Sequence, residues 1–161
     1  MFNDLIEEVG ADVSRFFFLT VSPRSHMDFD LVAAKEHSMK NPVFYVQYAL
    51  VRAKSIIQKS GVSPRAPKRF QHLSTKEDIL LLRRLAEFPE EVSATAHDLE
   101  VHRLTRYAVE LARAFHNFYE HEHVQGEPEE ILNERLALVS GAEIVFANLF
   151  RLLGVSEPEK M

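Results

Sequence analysis

Residues 101–120 read VHRLTRYAVELARAFHNFYE, and this stretch decides the fold class. Leu104, Ala108, Leu111, Phe115 and Phe118 recur at spacings of three and four, which lays one apolar stripe along an α-helix. Strict alternation, the mark of a half-buried strand, is absent here. Toward the C-terminus the pattern repeats. Gly126 and Pro128 break the chain, and a helix is predicted from about Pro128 to Leu153, with Leu132, Leu136, Val139, Ala142, Phe146, Leu149 and Leu153 facing inward. Gly141 inside it costs ~1 kcal/mol against alanine, which is tolerable where a neighbouring helix packs closely. Gly154 ends this helix and residues 156–161 form a polar tail.

Toward the N-terminus, Ser74-x-x-Glu77 reads as a capping box opening a helix from Thr75 to about Glu87. Pro89 is predicted to start a further helix reaching about Leu99. Residues 63–73 contain Pro64, Pro67 and three bases and read as a linker. Asn41-Pro42 is a strong start signal, because Asn suits the cap and Pro the first helical position, where its missing N–H costs nothing. That helix is expected to run to about Lys59 and stop at Gly61. Leu31–Met39 predicts another helix, Ala11–Leu19 an aromatic one with Phe16, Phe17 and Phe18, and Phe2–Val9 a short one stopped by Gly10. The expected architecture is an all-α helical bundle with a shorter N-terminal subregion.

Composition agrees. The 161 residues are 46% hydrophobic with only 5 Gly, which allows one real core and favours helices over many short strands. No cysteine occurs, so disulfides and thiolate metal sites are excluded and a reducing compartment is the natural setting. No apolar run approaches the ~20 residues that span a bilayer, and residues 1–8 mix apolar with acidic side chains, unlike a signal peptide. A soluble, cytoplasmic domain without membrane contact is expected.

The net charge of −5 argues against a nucleic-acid binder, but its distribution does not. Between Lys35 and Arg69 eight Lys or Arg stand against one acid, leaving 11 bases and 23 acids elsewhere. A basic segment on an acidic body can follow phosphates; a solvated helix face joined to a basic linker has the same composition.

Three stretches carry a family resemblance. Gly10-Ala11-Asp12-Val13-Ser14-Arg15-Phe16 resembles the Gly-x-Asp-x-x-Arg-Phe segment of class I aminoacyl-tRNA synthetases. His26-Met27-Asp28-Phe29-Asp30 is similar to the arginyl family's His-Leu-Asp-Phe-Asp. Asn41-Pro42-Val43-Phe44-Tyr45-Val46-Gln47-Tyr48-Ala49 is close to that family's Asn-Pro-Val-Tyr-Tyr-Val-Gln-Tyr-Ala and is the most specific of the three. Arg106-Tyr107, Phe115–Tyr119, Arg135–Val139, Leu152–Val155 and the ending Pro158-Glu159-Lys160-Met161 also look like the family's anticodon-binding bundle. The chain therefore resembles the C-terminal anticodon-binding domain of an arginyl-tRNA synthetase. It departs from the pattern at Leu50, where the family usually has His, at Phe44 for Tyr, and at Lys160 for Arg.

The resemblance implies a division into a connector over 1–30, near the inner corner of the tRNA, and an anticodon-binding domain over 31–161. Its implied partners are arginine tRNA and a catalytic domain of the same parent chain. No His-x-Gly-His, Lys-Met-Ser-Lys or phosphate-cradling Gly-rich loop occurs, so no cofactor is expected in this chain. ATP and Mg²⁺ are implied only for the catalytic domain, and the chain alone is expected to be inactive. The parent is expected to be a monomer; exposed apolar surface would let the isolated chain dimerise.

All four tyrosines, Tyr45, Tyr48, Tyr107 and Tyr119, lie in the two matching helices. Unpaired RNA bases stack on such rings, and buried rings with a wet hydroxyl fit the same sequence. On a helical wheel Tyr107 and Tyr119 flank the buried stripe and can each show an edge to solvent. Tyr48 and Arg52, four apart, share a face and can join a stacked base to a phosphate. Gln47 offers a donor and acceptor to a base edge, whereas Asn41 serves better as a cap. Met161 and its carboxylate are implied near the anticodon by the resemblance, against the frayed tail usual at a terminus. Lys35, Lys40, Lys54, Lys59, Lys68 and Arg69 are candidate phosphate contacts. His116, His121 and His123 lack the i, i+4 spacing of a helical zinc pair, so no metal is expected. The rival readings are a cysteinyl-type anticodon domain, a helical protein-interaction module and a metal-dependent hydrolase on a bundle.

Overall fold

Side-chain caps at Asp30, Asn41 and Thr75 set the starts of three helices, and packing from distant residues sets the other corrections to the predicted boundaries. A computed structural model describes residues 2–124 and 126–161. The helices are α1 (Phe2–Val9), α2 (Ala11–Phe18), α3 (Leu31–Ala34), α4 (Pro42–Ser60), α5 (Lys76–Asp98), α6 (His102–His121) and α7 (Glu129–Leu153). Among the described residues there is no strand. α5 packs chiefly on α6 and α4 chiefly on α7, with α4 also against α6, so α4–α7 form the bundle and α2 joins it against α4.

Asn41 shows how one residue sets two boundaries. Fully buried, it accepts from the Val43 N–H at 3.0 Å and so caps α4. Its Nδ2 donates to the carbonyls of Ala34 at 3.2 Å and Ala33 at 3.4 Å. Those carbonyls end α3, where Ala33 accepts otherwise only the Glu36 N–H of a tightened last turn, so this helix stops at Ala34 instead of running to Met39 as predicted.

The predicted pair of helices over 75–99 is one helix, α5, with Pro89 inside it. Proline costs ~3 kcal/mol in a helix interior, but Leu81, Leu85, Phe88 and Val92 pack on the core from both sides of it, and this packing carries the helix through. The capping box sits one residue later than predicted. Thr75 Oγ1 accepts from the Asp78 N–H at 3.1 Å, and Asp78 returns the bond to the Thr75 N–H at 3.3 Å. Asp78 is chosen over Glu77 because it is fully buried and also receives Arg135 Nε at 3.2 Å. Arg135 further donates to the His123 carbonyl at 2.7 Å and to the carboxylate of Glu122. α5 ends at Leu99, an exposed residue in the left-handed region with φ 61°.

The core runs along α6 and α7, with Phe16, Phe115, Phe118, Phe146 and Phe150 enclosed. Leu50 is also enclosed, so the position where the family usually has His belongs here to the core. A Cβ on Gly141 would meet Leu85 Cδ1 at 3.3 Å, which is the close approach of α5 to α7 expected at that glycine. One expectation is revised by α7. Its 25 residues are long and apolar enough to cross a membrane, and half of its most apolar window is buried, as in a bundle core helix.

The tail after α7 is anchored as far as Glu157. Ser156 donates its N–H to Asp12 Oδ1 at 3.1 Å, Arg15 donates to the Gly154 carbonyl, and Lys54 pairs with Glu157 at 3.4 Å. The Gly-x-Asp-x-x-Arg stretch thus holds the end of the bundle.

Candidate nucleic-acid interface

Helical spacing places Tyr48, Arg52, Ser55 and Lys59 on one face of α4, opposite His116 and Tyr119 on one face of α6. Between them rings and cation interleave. The Tyr48 and His116 rings stack with centroids 5.6 Å apart, and the Tyr45 ring meets His116 tilted at 4.6 Å. The Arg52 guanidinium lies 5.0 Å from the Tyr48 ring centre and 4.6 Å from that of Tyr119. It also donates to the Tyr48 hydroxyl.

His116 is the hinge pin of this array. It is buried, and its Nε2 lies 3.2 Å from the Tyr45 carbonyl, an acceptor, which assigns the proton to Nε2. Burial holds its pKa below the ordinary histidine value, against the smaller opposing effects of the Tyr45 carbonyl and Glu120. The ring is therefore neutral at pH 7 and stacks as an aromatic. Burial likewise raises the Tyr45 hydroxyl, leaving it a hydrogen-bonding group without charge.

Beyond the array opens a groove of about 570 Å³, lined by Arg52, Ser55, Ile56 and Lys59 from α4, and Tyr119 and Glu120 from α6. Glu122, His123 and Val124 close its end. Chemically it offers a ring face on Tyr119, which is 38% exposed, cations at Arg52 and Lys59, and a carboxylate acceptor at Glu120. A planar base with exocyclic amino groups, attached to a phosphate, matches that set.

The structure sorts the predicted residues. Tyr48, Arg52 and Tyr119 come together with Lys59, and Tyr45 joins them through His116. Tyr107 does not. It is 3% exposed, its hydroxyl donates to the Arg84 carbonyl at 2.6 Å, and Phe88 covers its ring, so no base can stack on it. Burial pushes its hydroxyl above the ordinary tyrosine range. Gln47 is also withdrawn: it is buried and donates to the Ser156 carbonyl at 3.3 Å, so it holds the tail instead of reading a base. Lys35 is paired with Glu8 and Lys54 with Glu157. Lys40, Lys59, Lys68 and Arg69 are exposed and, among the described residues, have no carboxylate within ion-pair distance. Met161 is 56% exposed at the chain end.

Sequence reasoning treated His116 only as a possible ligand, and it missed Ser55, Glu120 and Val124. The available signal was the three-residue spacing from His116 to Tyr119, which puts both on one face. His121 Nδ1 meets the Asn117 carbonyl at 2.8 Å, as at a helix end. Among the described residues no three His, Asp or Glu side chains group as a metal site.

A family model described as DALR anticodon binding domain matches residues 46–161. The chain is 46% identical over 164 residues to an arginine--tRNA ligase of Geobacter metallireducens, covering 99% of this chain and 29% of that protein. It is 44% identical over 163 residues to the one of Ruminiclostridium cellulolyticum, covering 98% and 29%. Thermus thermophilus arginyl-tRNA synthetase superposes with a TM-score of 0.83 at 30% identity, over 96% of this chain and 27% of that one. The chain thus spans less than a third of the length of these relatives.

Proposed function

The chain belongs to the DALR anticodon-binding domain family, and from that premise we propose that it grips the anticodon loop of arginine tRNA for an arginine--tRNA ligase. The observation that carries this reading is the Tyr48–Arg52–Tyr119 array opening onto a groove with Lys59 at its rim. Tyr119 stacks a splayed base, at ~1–3 kcal/mol for such a contact. Arg52, whose planar fork is already held between two rings, turns toward the base edge or its phosphate. Glu120 accepts from an exocyclic amino group. Arginine anticodons share a middle cytosine, whose N4 amino group is such a donor, so that base is the natural occupant. Lys40, Lys59, Lys68 and Arg69 follow the phosphates, and the exposed end at Met161 borders the bound loop.

The chain performs no bond chemistry. By holding the loop it orients the acceptor end of the tRNA toward a catalytic domain of the same parent, where ATP and Mg²⁺ serve the reaction. α1 and α2 make the connection to that domain. The names of the relatives support arginine as the amino acid, and the α4 nonapeptide favours it over a cysteinyl-type domain.

The test is binding of the chain to arginine tRNA transcripts at two salt concentrations, with a middle-anticodon variant as control. Salt-sensitive binding that weakens at least tenfold with the variant is the expected result. Equal binding to both transcripts would remove anticodon reading, and salt-independent binding would favour a protein-interaction module instead.

A further inference from the structure

The stretch between α4 and α5 has no regular secondary structure, yet one end of it is held with unusual economy. Glu134, on α7, is buried at 5% exposure. Its carboxylate accepts the N–H groups of three consecutive residues, Gln71 at 2.9 Å, His72 at 2.9 Å and Leu73 at 3.2 Å. The His72 ring adds Nδ1 at 2.9 Å. Burial alone would raise this carboxyl, but the N–H groups of Gln71 and His72, with the His72 ring, hold it below the usual carboxylate range. The carboxylate is thus charged and fully engaged at neutral pH.

The other end of the stretch leaves α4 at Gly61, two residues after Lys59 on the groove rim. The neighbour of Glu134, Arg135, holds Glu122 and the His123 carbonyl at the groove's end. One end of the linker thus leaves α4 at the groove rim, and the other is fixed by the residue next to the one that holds the groove's end. Between them Arg65, Lys68 and Arg69 are exposed and, among the described residues, have no acidic partner. Three unpaired cations on a tethered loop form a phosphate-tracking arm, and fixing the loop removes part of the ordering entropy that binding would otherwise cost.

We propose that Glu134 is a positioning residue that straps the 62–73 arm in place so that Lys68 and Arg69 meet the RNA backbone next to the base-binding groove. This rests on the anticodon reading above and deepens it: the groove reads the base, and the strapped arm supplies sequence-independent grip. The two functions are separable because phosphate contacts set affinity and salt dependence while base contacts set discrimination.

The experiment measures tRNA affinity against salt for the unmutated chain, Glu134→Gln, Lys68→Ala/Arg69→Ala, and the combination, each with the middle-anticodon control. The double alanine variant is expected to lower affinity roughly tenfold at low salt and to reduce the log–log salt slope by about 1 per lost contact. Glu134→Gln should reproduce much of that slope change, keep the discrimination between the two transcripts, and add little to the alanine variant. An unchanged slope in the alanine variant would overturn the arm while leaving anticodon reading intact. Full additivity in the combination would overturn the strap, since Glu134 would then act by another route. No binding by the unmutated chain would overturn this proposal and the anticodon reading together. Should Glu134→Gln fail to fold, hydrogen exchange in the unmutated chain decides: protected amides at 71–73 uphold the strap, and loop-like exchange there overturns it.

Discussion

Two clusters of polar and aromatic side chains lie at the same end of the bundle and are built on opposite principles. Around Arg135 every donor is spoken for: Asp78, Glu122, Glu127 and the His123 carbonyl enclose a guanidinium that is almost entirely out of water. Around Arg52 the cation is held by ring faces and a phenol, and its Nε is buried without a partner. A saturated guanidinium locks structure, whereas one cradled by aromatics keeps directional capacity for a ligand. The difference lies in the neighbours, since the residue type is the same.

The largest effect should come from breaking the saturated cluster. Arg135→Ala leaves Asp78 buried without its guanidinium partner, and is expected to cost ~3–5 kcal/mol of stability in chemical denaturation. Arg52→Ala should leave the midpoint within a fraction of that and instead abolish most tRNA affinity. If the two variants lose stability equally, the contrast between the clusters fails.

Next come the tyrosines. Tyr119→Ala is expected to weaken tRNA binding by ~1–3 kcal/mol with little change in melting. Tyr107→Phe should do the reverse, leaving affinity unchanged and costing ~1 kcal/mol of stability through the lost hydrogen bond to the Arg84 carbonyl. An affinity loss in Tyr107→Phe would contradict its burial.

The pH dependence separates the clusters more finely. His116 has a folded pKa below its ordinary 6.5, so the unfolded chain takes up the proton first. Its contribution to stability is complete above that value and declines as pH falls below it. Glu134 is held below the ordinary 4.5, so its contribution is complete above that pH and is lost only as acid carries the solution lower. Denaturation curves in the window below pH 6.5 should flatten with His116→Gln, while the steeper acid limb should remain until Glu134 is replaced. The smallest effect concerns the backbone. Leu99→Gly at φ 61° should raise stability by up to ~1 kcal/mol without touching RNA binding.

Much of the fold was legible because it depends on local rules. The α6 stripe, the Asn41-Pro42 start and the Gly61 and Gly154 stops all act within one or two helical turns. The failures occurred where distant residues intervened. α3 is short because Asn41 takes its carbonyls, and α5 runs through Pro89 because residues before and after it pack on the core. For the site, i, i+4 spacing paired Tyr48 with Arg52. Nothing local distinguished Tyr119, which faces the groove, from Tyr107, which faces the core, because both flank the same stripe.

By itself the sequence determined the helical class, most helix starts and stops, the basic stretch, and the motif that carries the family likeness, since each rests on periodicity, capping or identity along the chain. Only the tertiary structure decided which tyrosines meet the solvent, that Gln47 holds the tail, that His116 is a neutral stacking ring, and that Glu134 gathers three N–H groups from across the fold. Those outcomes depend on which surfaces remain once helices far apart in sequence have packed, and burial of that kind is a property of the assembled bundle.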